Sequence, residues 1–458
     1  MTDERYPPAL GPAGSPAVRP LTGPGGGPTG SPVGSPGSVS IGGAASVSVP
    51  AERPRVGWGF VGLYVLAYTG TSLLFLAPLL VSLSLKVNDL VGIDTAPGRL
   101  ALVTSVGSLL AMVANPFFGR LSDRTSSPWG MRRPWMVAGL AAGSLGIVTV
   151  GLAPNIAVVL LGWCTAQVFF NALLAALAAV MPDQIPAAQR GAVSGILAVC
   201  LPVASVVGTF LVQLFDQNVL TMLLVPCVVG VVLVLPFLAR CGDRRLEPGQ
   251  APAWSIGEFL GTFYVNPRRS PDFAWAFASR FLLVTAYALL VTYQAYYLLA
   301  QVGSSKSEVP QTIFLGTLTQ SAALVAAALV TGKLSDHAGR RKIFVLTAAL
   351  VYGFALFVIA AANDVPGYLI GMALGGLGFG MYTAVDLALV VDVLPHADEA
   401  AKDLGVLNMA GALPFSLAPA IAPGILHLAG GSYGVLFAVA GACALAGAAA
   451  VLPIKAVR

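Results

Sequence analysis

Two charged side chains stand where hydrocarbon would surround them. Asp386 lies in GMALGGLGFGMYTAVDLALVV and Arg280 in FAWAFASRFLLVTAYALLVTY, and of 20 carboxylates and 25 Lys and Arg residues only these two fall clearly within an apolar run. A charge at the centre of a bilayer costs roughly 2.5 to 3.5 kcal/mol on insertion scales, so each needs a partner. The pattern predicts that they pair. Burial and a neighbouring charge together set when such a carboxylate takes up a proton. Protonation of Asp386 would then release Arg280, which is chemistry suited to proton coupling. A permanent structural ion pair is the competing reading.

Uncharged polar residues recur at helical spacing in the same kind of run. Tyr64, Tyr68 and Thr71 follow i, i+4, i+7; Gln167 and Asn171 are i, i+4; Arg280, Tyr287 and Gln294 are seven apart, with Tyr293, Tyr296 and Tyr297 nearby; Tyr382 and Asp386 are i, i+4. Each set occupies one face of a helix. Polar groups in hydrocarbon cost free energy unless they meet partners or water, so these stripes are expected to line a wet cavity. Aromatic faces beside amides and hydroxyls suit sugar rings, which offer apolar C–H faces and many hydroxyls. They also suit drug-like amphiphiles, and any single member would serve equally as glue between helices.

The elements that must position these residues follow from composition. The chain of 458 residues is 56% hydrophobic and 10% charged with a mean hydropathy of +0.82, values of an integral membrane protein. Apolar stretches long enough to span occur at 58–85, 99–118, 134–153, 155–180, 191–215, 218–239, 273–300, 309–331, 343–362, 366–391, 405–428 and 431–453. The first is too long for a signal-peptide core and is expected to remain as a span. Residues 1–55, rich in Pro, Gly and Ser, read as a disordered cytoplasmic tail. The expected domains are that tail, a first six-helix half over 56–239, a cytoplasmic linker over 240–272 and a second half over 273–458. Within the linker Ile256, Phe259, Leu260 and Phe263 have the spacing of a short interfacial helix, although a plain connection is an equal alternative.

A net charge of +5 does not point to nucleic acid, because the basic residues mark membrane sides. Twenty-one of the 25 fall on the side of the amino terminus, while Lys86, Arg99 and Lys306 fall opposite. Both termini are therefore expected in the cytoplasm of a multi-pass plasma-membrane protein. The five cysteines show no metal-ligand spacing, and no Walker lysine or catalytic Ser-His-Asp set occurs. Neither a cofactor nor an enzymatic activity is expected.

An internal repeat divides the chain. GRLSDRTSSPWGMRRPW at 119–135 corresponds to GKLSDHAGRRKIF at 332–344, so Asp123 matches Asp336; DQIP at 183–186 likewise matches DVLP at 392–395. A carboxylate at a helix end accepts hydrogen bonds from a neighbouring helix amino terminus and from arginines. The expectation is a cytoplasmic gate formed by Gly119, Asp123, Arg124, Arg132 and Arg133 in one half and Gly332, Asp336, Arg340 and Arg341 in the other, latching the outward-facing state. Simple anchoring of topology by positive charge is the alternative.

These loops resemble the signature of the major facilitator superfamily, roughly G-x-x-x-D-[RK]-x-G-[RK]-[RK]. The second copy matches at Gly332, Asp336, Gly339, Arg340 and Arg341, with His337 in a basic position. The first carries four extra residues, placing Gly130 seven after Asp123, and resembles glycoside-pentoside-hexuronide:cation symporters and sucrose transporters. Pro128 and Met131 depart from their basic residues. Ala172 to Leu177 lacks the acid usual in the fourth span of sucrose transporters, and no carboxylate lies between Leu100 and Phe118 for a melibiose-type sodium site.

The resemblance implies an all-α integral membrane protein of twelve transmembrane helices in two parallel six-helix pseudo-repeats, with the first, fourth, seventh and tenth spans around a central cavity. It implies a secondary active transporter acting as a monomer in the lipid bilayer on a small-molecule substrate such as a sugar, and the chemistry of Asp386 and Arg280 points to a proton gradient as driving force. Proton-coupled efflux of drugs or natural products is the alternative, although Gly191, Gly195, Pro202 and Gly208 do not form the motif usual in the fifth span of such exporters. A non-transporting membrane sensor or scaffold is a third reading.

Overall fold

A computed structural model describes residues 55–215, 218–245, 270–338, 340–392 and 400–454. The tail expected over 1–55, apart from its last residue, and the interfacial helix expected around Ile256 to Phe263 lie outside the described residues. So do Gly339 and the side chain of Asp336. Among the described residues there are helices and no strands, and twelve helices are long and apolar enough to cross a membrane. They are α1 (Trp58–Val91), α2 (Ala96–Asp123), α3 (Arg133–Leu152), α4 (Ile156–Gln184), α5 (Ala187–Gln213) and α6 (Val219–Arg240). The second set is α7 (Pro271–Ala300), α8 (Val309–Ala338), α9 (Arg341–Ala361), α10 (Val365–Asp392), α11 (Val406–Leu428) and α12 (Tyr433–Val451). The chain is a multi-pass membrane protein.

Local chemistry sets the helix ends. Asn155 and Asn218 accept from the backbone N–H of Val158 and Leu220 at the starts of α4 and α6, and Pro134 and Pro271 occupy first-turn positions in α3 and α7. The end of α1 differs from expectation, since the helix continues past residue 85 to Val91. Its last turns are polar but held: Lys86 Nζ donates to the Gly151 carbonyl at 2.9 Å, and Asp89 pairs with Lys306. A π-helical turn, Pro78–Ser82, interrupts α1. Pro78 has no N–H to offer the preceding turn, so the helix widens there.

Helices pack by small residues, as expected where lipid supplies no hydrophobic drive between them. A Cβ on Gly139 or Gly146 of α3 would lie 2.6 Å from backbone atoms of α4, and one on Gly376 or Gly380 of α10 would lie 2.2 or 2.3 Å from backbone carbonyls of α8. Large apolar side chains such as Leu145, Leu161, Val228, Leu329 and Phe354 point outward and are exposed, as a lipid-facing belt requires.

The first six helices pack mainly among themselves, as do the last six, and the halves meet where α2 lies on α11 and α5 on α8. We call the face where α1 begins basal and the opposite face distal. At the distal end the halves are sewn together. Tyr296 Oη donates to the Ser84 carbonyl at 2.9 Å, Gln294 Nε2 to the Leu80 carbonyl at 3.5 Å, and Tyr293 Oη to Pro97 and Pro419 carbonyls at 3.4 and 3.0 Å. All three residues come from α7, and all are buried.

Candidate functional site

Below this distal seal lies a cavity of about 540 Å³ between the halves, within the usual range for small-ligand sites. Its polar wall is built by Tyr68 and Ser72 of α1, Ser108, Asn115 and Arg120 of α2, Gln167 and Asn171 of α4, and Asn408 of α11. Phe75, Leu76, Leu79, Met112, Leu174, Met409 and Phe415 supply apolar surface. Asn171 is held on both sides: its Nδ2 donates to the backbone carbonyl of Gln167 at 2.8 Å, and Asn115 Nδ2 approaches its Oδ1 at 3.4 Å. Among the described residues no carboxylate lines the cavity, and Arg120 brings a cation at the basal end. The surface offers amide and hydroxyl groups beside aromatic and aliphatic faces.

Of the residues expected in the cavity, Tyr68, Gln167 and Asn171 line it. Tyr64 and Thr71 do not. Tyr64 is fully buried with Oη donating to the Leu177 carbonyl at 2.9 Å, its ring 5.5 Å from that of Phe237, so it joins α1 to α4 and α6. Thr71 Oγ1 turns back to the Ala67 carbonyl of its own helix at 2.8 Å, and Ser72 takes its place on the wall. Gln294 belongs to the distal seal and also accepts from Tyr368 Oη at 3.0 Å. Tyr287 and Tyr382 sit inside the second half: the Tyr287 ring stacks 4.6 Å from Phe379, which is 6.1 Å from Tyr382. Asn115 and Asn408 were missed. Ser108, Ala111, Met112 and Asn115 follow i, i+3, i+4, i+7, a spacing that would have exposed the polar face of α2.

The two intramembrane charges meet. Arg280 Nη1 lies 2.7 Å from Asp386 Oδ2, joining α7 to α10, with side-chain exposures of 22% and 12%. The pair does not line the cavity. It lies behind α11, where the guanidinium approaches Gly411; Tyr382 sits one turn before Asp386 on α10.

At the basal end of the first half, Arg132 is a buried hub. Its guanidinium reaches Asp123 at 2.5 Å, Asp183 at 3.0 Å and Ser122 Oγ at 2.5 Å. Arg133 donates to the Leu238 and Ala239 carbonyls at the end of α6. The backbone N–H groups of Arg132 and Arg133 donate to Asp243 at 2.7 and 2.8 Å, so a carboxylate beyond α6 caps α3. Gly130, at φ +104°, makes this possible: a Cβ there would fall 2.2 Å from the Asp243 carboxylate. Among the described residues these partners lie in the first half and just after it, so the hub binds α2, α3, α4 and the segment after α6. In the second copy, Lys342 Nζ caps α12 through the Leu452 and Ile454 carbonyls at 2.6 and 2.7 Å. Around both Gly119 and Gly332 a Cβ would meet open space.

A model of the Major Facilitator Superfamily matches residues 59–327 and 277–457. Two relatives align over short segments. The arabinose-proton symporter of Bacillus subtilis (strain 168) is 38% identical over 68 residues, 15% of this chain and 14% of that protein. An uncharacterised symporter of Synechocystis sp. is 35% identical over 69 residues, 15% of this chain and 12% of that protein. These alignments thus span about a seventh of each relative's length or less. Among solved structures, that of a point mutant of the nucleoside transporter NupG superposes with a TM-score of 0.70 over 86% of this chain and 99% of its own, at 12% identity. At that identity the likeness is one of fold.

Proposed function

This chain belongs to the major facilitator superfamily of transporters, and from that premise we propose a proton-coupled secondary transporter of a small, uncharged, polyhydroxylated solute such as a sugar. The observation that carries the reading is the amide-lined cavity between the halves, free of carboxylates among the described residues and bordered one helix away by a largely buried carboxylate–guanidinium pair. Amides both donate and accept, which matches hydroxyl groups that do the same. Tyr68 and Phe75 offer faces to a sugar ring. Among the described lining residues a cationic drug would find no compensating carboxylate, which disfavours the efflux reading. The relative named for arabinose and protons supports the same class, and a nucleoside, which also carries a hydroxylated ring, is the second solute to test.

The protein works by alternating access. Closed distally and extending basally to Arg120, the cavity is read as inward-facing, with the arginine-rich basal side in the cytoplasm of a plasma membrane. The open space at Gly119 and Gly332 supports a closure in which the basal loops approach the opposite half, so that Asp123, Arg124, Arg132 and Arg133, with Asp336, Arg340 and Arg341, form the gate of the outward-facing state. Asp386 carries the proton, and Arg280 is its counter-ion. The test is uptake of labelled arabinose and uridine by proteoliposomes with and without an imposed pH gradient, for the natural protein and Asp386→Asn. Accumulation driven by the gradient in the former, and exchange without accumulation in the latter, is expected. Equal accumulation by both would sink the coupling assignment.

A further inference from the structure

The ion pair and the cavity do not touch, so any coupling between them must pass through what stands between. That element is α11. Asn408, Met409, Ala412 and Phe415 face the cavity. From the flank of the same turns, Gly411 presents bare backbone to Arg280: a Cβ at this position would lie 3.5 Å from Nη2 and 3.6 Å from Nε. One turn later the Phe415 ring meets Tyr287 edge-on with centroids 6.2 Å apart. Arg280 and Tyr287 are seven residues apart on one face of α7, and Gly411 and Phe415 four apart on α11, so the two helices touch at two successive levels. Beyond Leu413 the helix restarts at Pro414 and contains Pro419 and Pro423. A helix so interrupted bends more readily than its neighbours.

We propose that Gly411 is the positioning residue of the coupling pair: the room beside its backbone, enough for a methyl group but not for a larger side chain, seats the Arg280 guanidinium on Asp386, and displacement of α11 from the cavity side unseats it. The inference rests on the proton-coupled reading above. A solute lodged against Asn408 and Met409 moves the backbone two or three residues from Gly411. Asp386 tethers the guanidinium through Nη1, while Nε is buried with no hydrogen-bond partner among the described residues, so the seating depends on that one ion pair and on the contact with α11. Among the described residues, the titratable and charged groups facing Asp386 and its counter-ion are Arg280 and Tyr287 from α7, Tyr382 from α10 and, through Phe379, Tyr352 from α9. Among these, Arg280 alone is positioned to hold the carboxylate by charge.

The experiment needs no solute. Spin labels on Asp94 and Ser307, exposed on the distal connections of the two halves, report the distal distance distribution in a background whose native cysteines are replaced. The natural residue set is expected to shift population between short and long distances as pH is lowered from 8 to 5, and Asp386→Asn to show one distribution at all pH values. Gly411→Ala, whose methyl fits at ordinary contact distance, should titrate like the parent. Gly411→Leu should match Asp386→Asn, since its side chain occupies the guanidinium's place. Where Leu prevents folding, Gly411→Val is read in the same way. A Gly411→Leu protein that titrates like the parent while Asp386→Asn does not overturns this inference alone. An Asp386→Asn protein that still titrates overturns the proton-coupled reading itself.

Discussion

Asp243→Ala is expected to loosen the basal clasp of the first half by about 1 to 2 kcal/mol. The carboxylate accepts two backbone N–H groups at the start of α3, at 2.7 and 2.8 Å. A hydrogen bond to a charged group contributes about 1.5 to 3 kcal/mol, and loss of an N-cap typically costs about 1 kcal/mol. Asp243 is half-buried, so the lower part of that range applies. Cys241 is the reporter. It is 3% exposed beneath the clasp, with Gln184 Nε2 at 3.4 Å from Sγ. An opening made easier by this amount raises the population open to a maleimide, and hence the labelling rate, by about 5- to 30-fold. Burial pushes the Cys241 thiol above its ordinary value; Gln184 lowers it, Asp243 raises it and Arg133 lowers it. Removing the Asp243 charge therefore also favours the thiolate. Asp243→Asn separates the two effects, since it removes the charge yet keeps an oxygen to accept from α3. Mass mapping of labelled Cys241 should give Ala far faster than Asn, with Asn above the parent only by the thiolate effect. Equal rates for Ala and Asn, or a parental rate for Ala, would refute the clasp.

Gly130→Ala should destabilise by a further route, because φ of +104° is strained for any L side chain and the methyl would strike the Asp243 carboxylate; about 1 to 3 kcal/mol of lost stability, seen as a lower unfolding midpoint in detergent, is expected. Tyr296→Phe leaves the Ser84 carbonyl without its donor and should favour distal opening by about 1 kcal/mol, close to a five-fold population change in the Asp94–Ser307 distances. Asn115→Ala and Gln167→Ala should each raise the half-saturating solute concentration roughly five-fold through a lost hydrogen bond of about 1 kcal/mol, whereas Thr71→Val, away from the wall, should leave it unchanged.

What was legible in the sequence was legible for physical reasons. Length and apolarity reveal spans because a bilayer permits so few structures, and the two intramembrane charges stand out because each is costly alone. Helical spacing was less informative. Tyr64, Tyr68 and Thr71 share one face of α1, but spacing gives the face and not what lies opposite at each depth. Near the basal end the Leu177 carbonyl of α4 meets Tyr64, and only Tyr68 reaches open space. Arg280 and Asp386 could be paired as the two lone intramembrane charges, yet nothing local shows that α11 separates them from the cavity. The four extra residues around Gly130 were visible as an insertion, but their partner, Asp243, is more than a hundred residues away in the chain.

The π-helical turn in α1 has a consequence for every residue beyond it. One residue added to a helix advances all later side chains by about 100°, given 3.6 residues per turn. A wide turn at Pro78–Ser82 absorbs such a step, so the helix emerges in a different phase from the one set by Tyr64 and Tyr68. The early turns thus answer to the first half, while Ser84 and Asp89 are dialled toward α7 and Lys306. Deleting a single residue within 78–82 would remove the wide turn and leave the distal side chains facing their partners, whereas forcing all the same residues into a uniform α-helix would rotate the distal end of α1 away from them by about 100°. A helix that reads as one continuous apolar run therefore carries two rotational settings, joined at a proline.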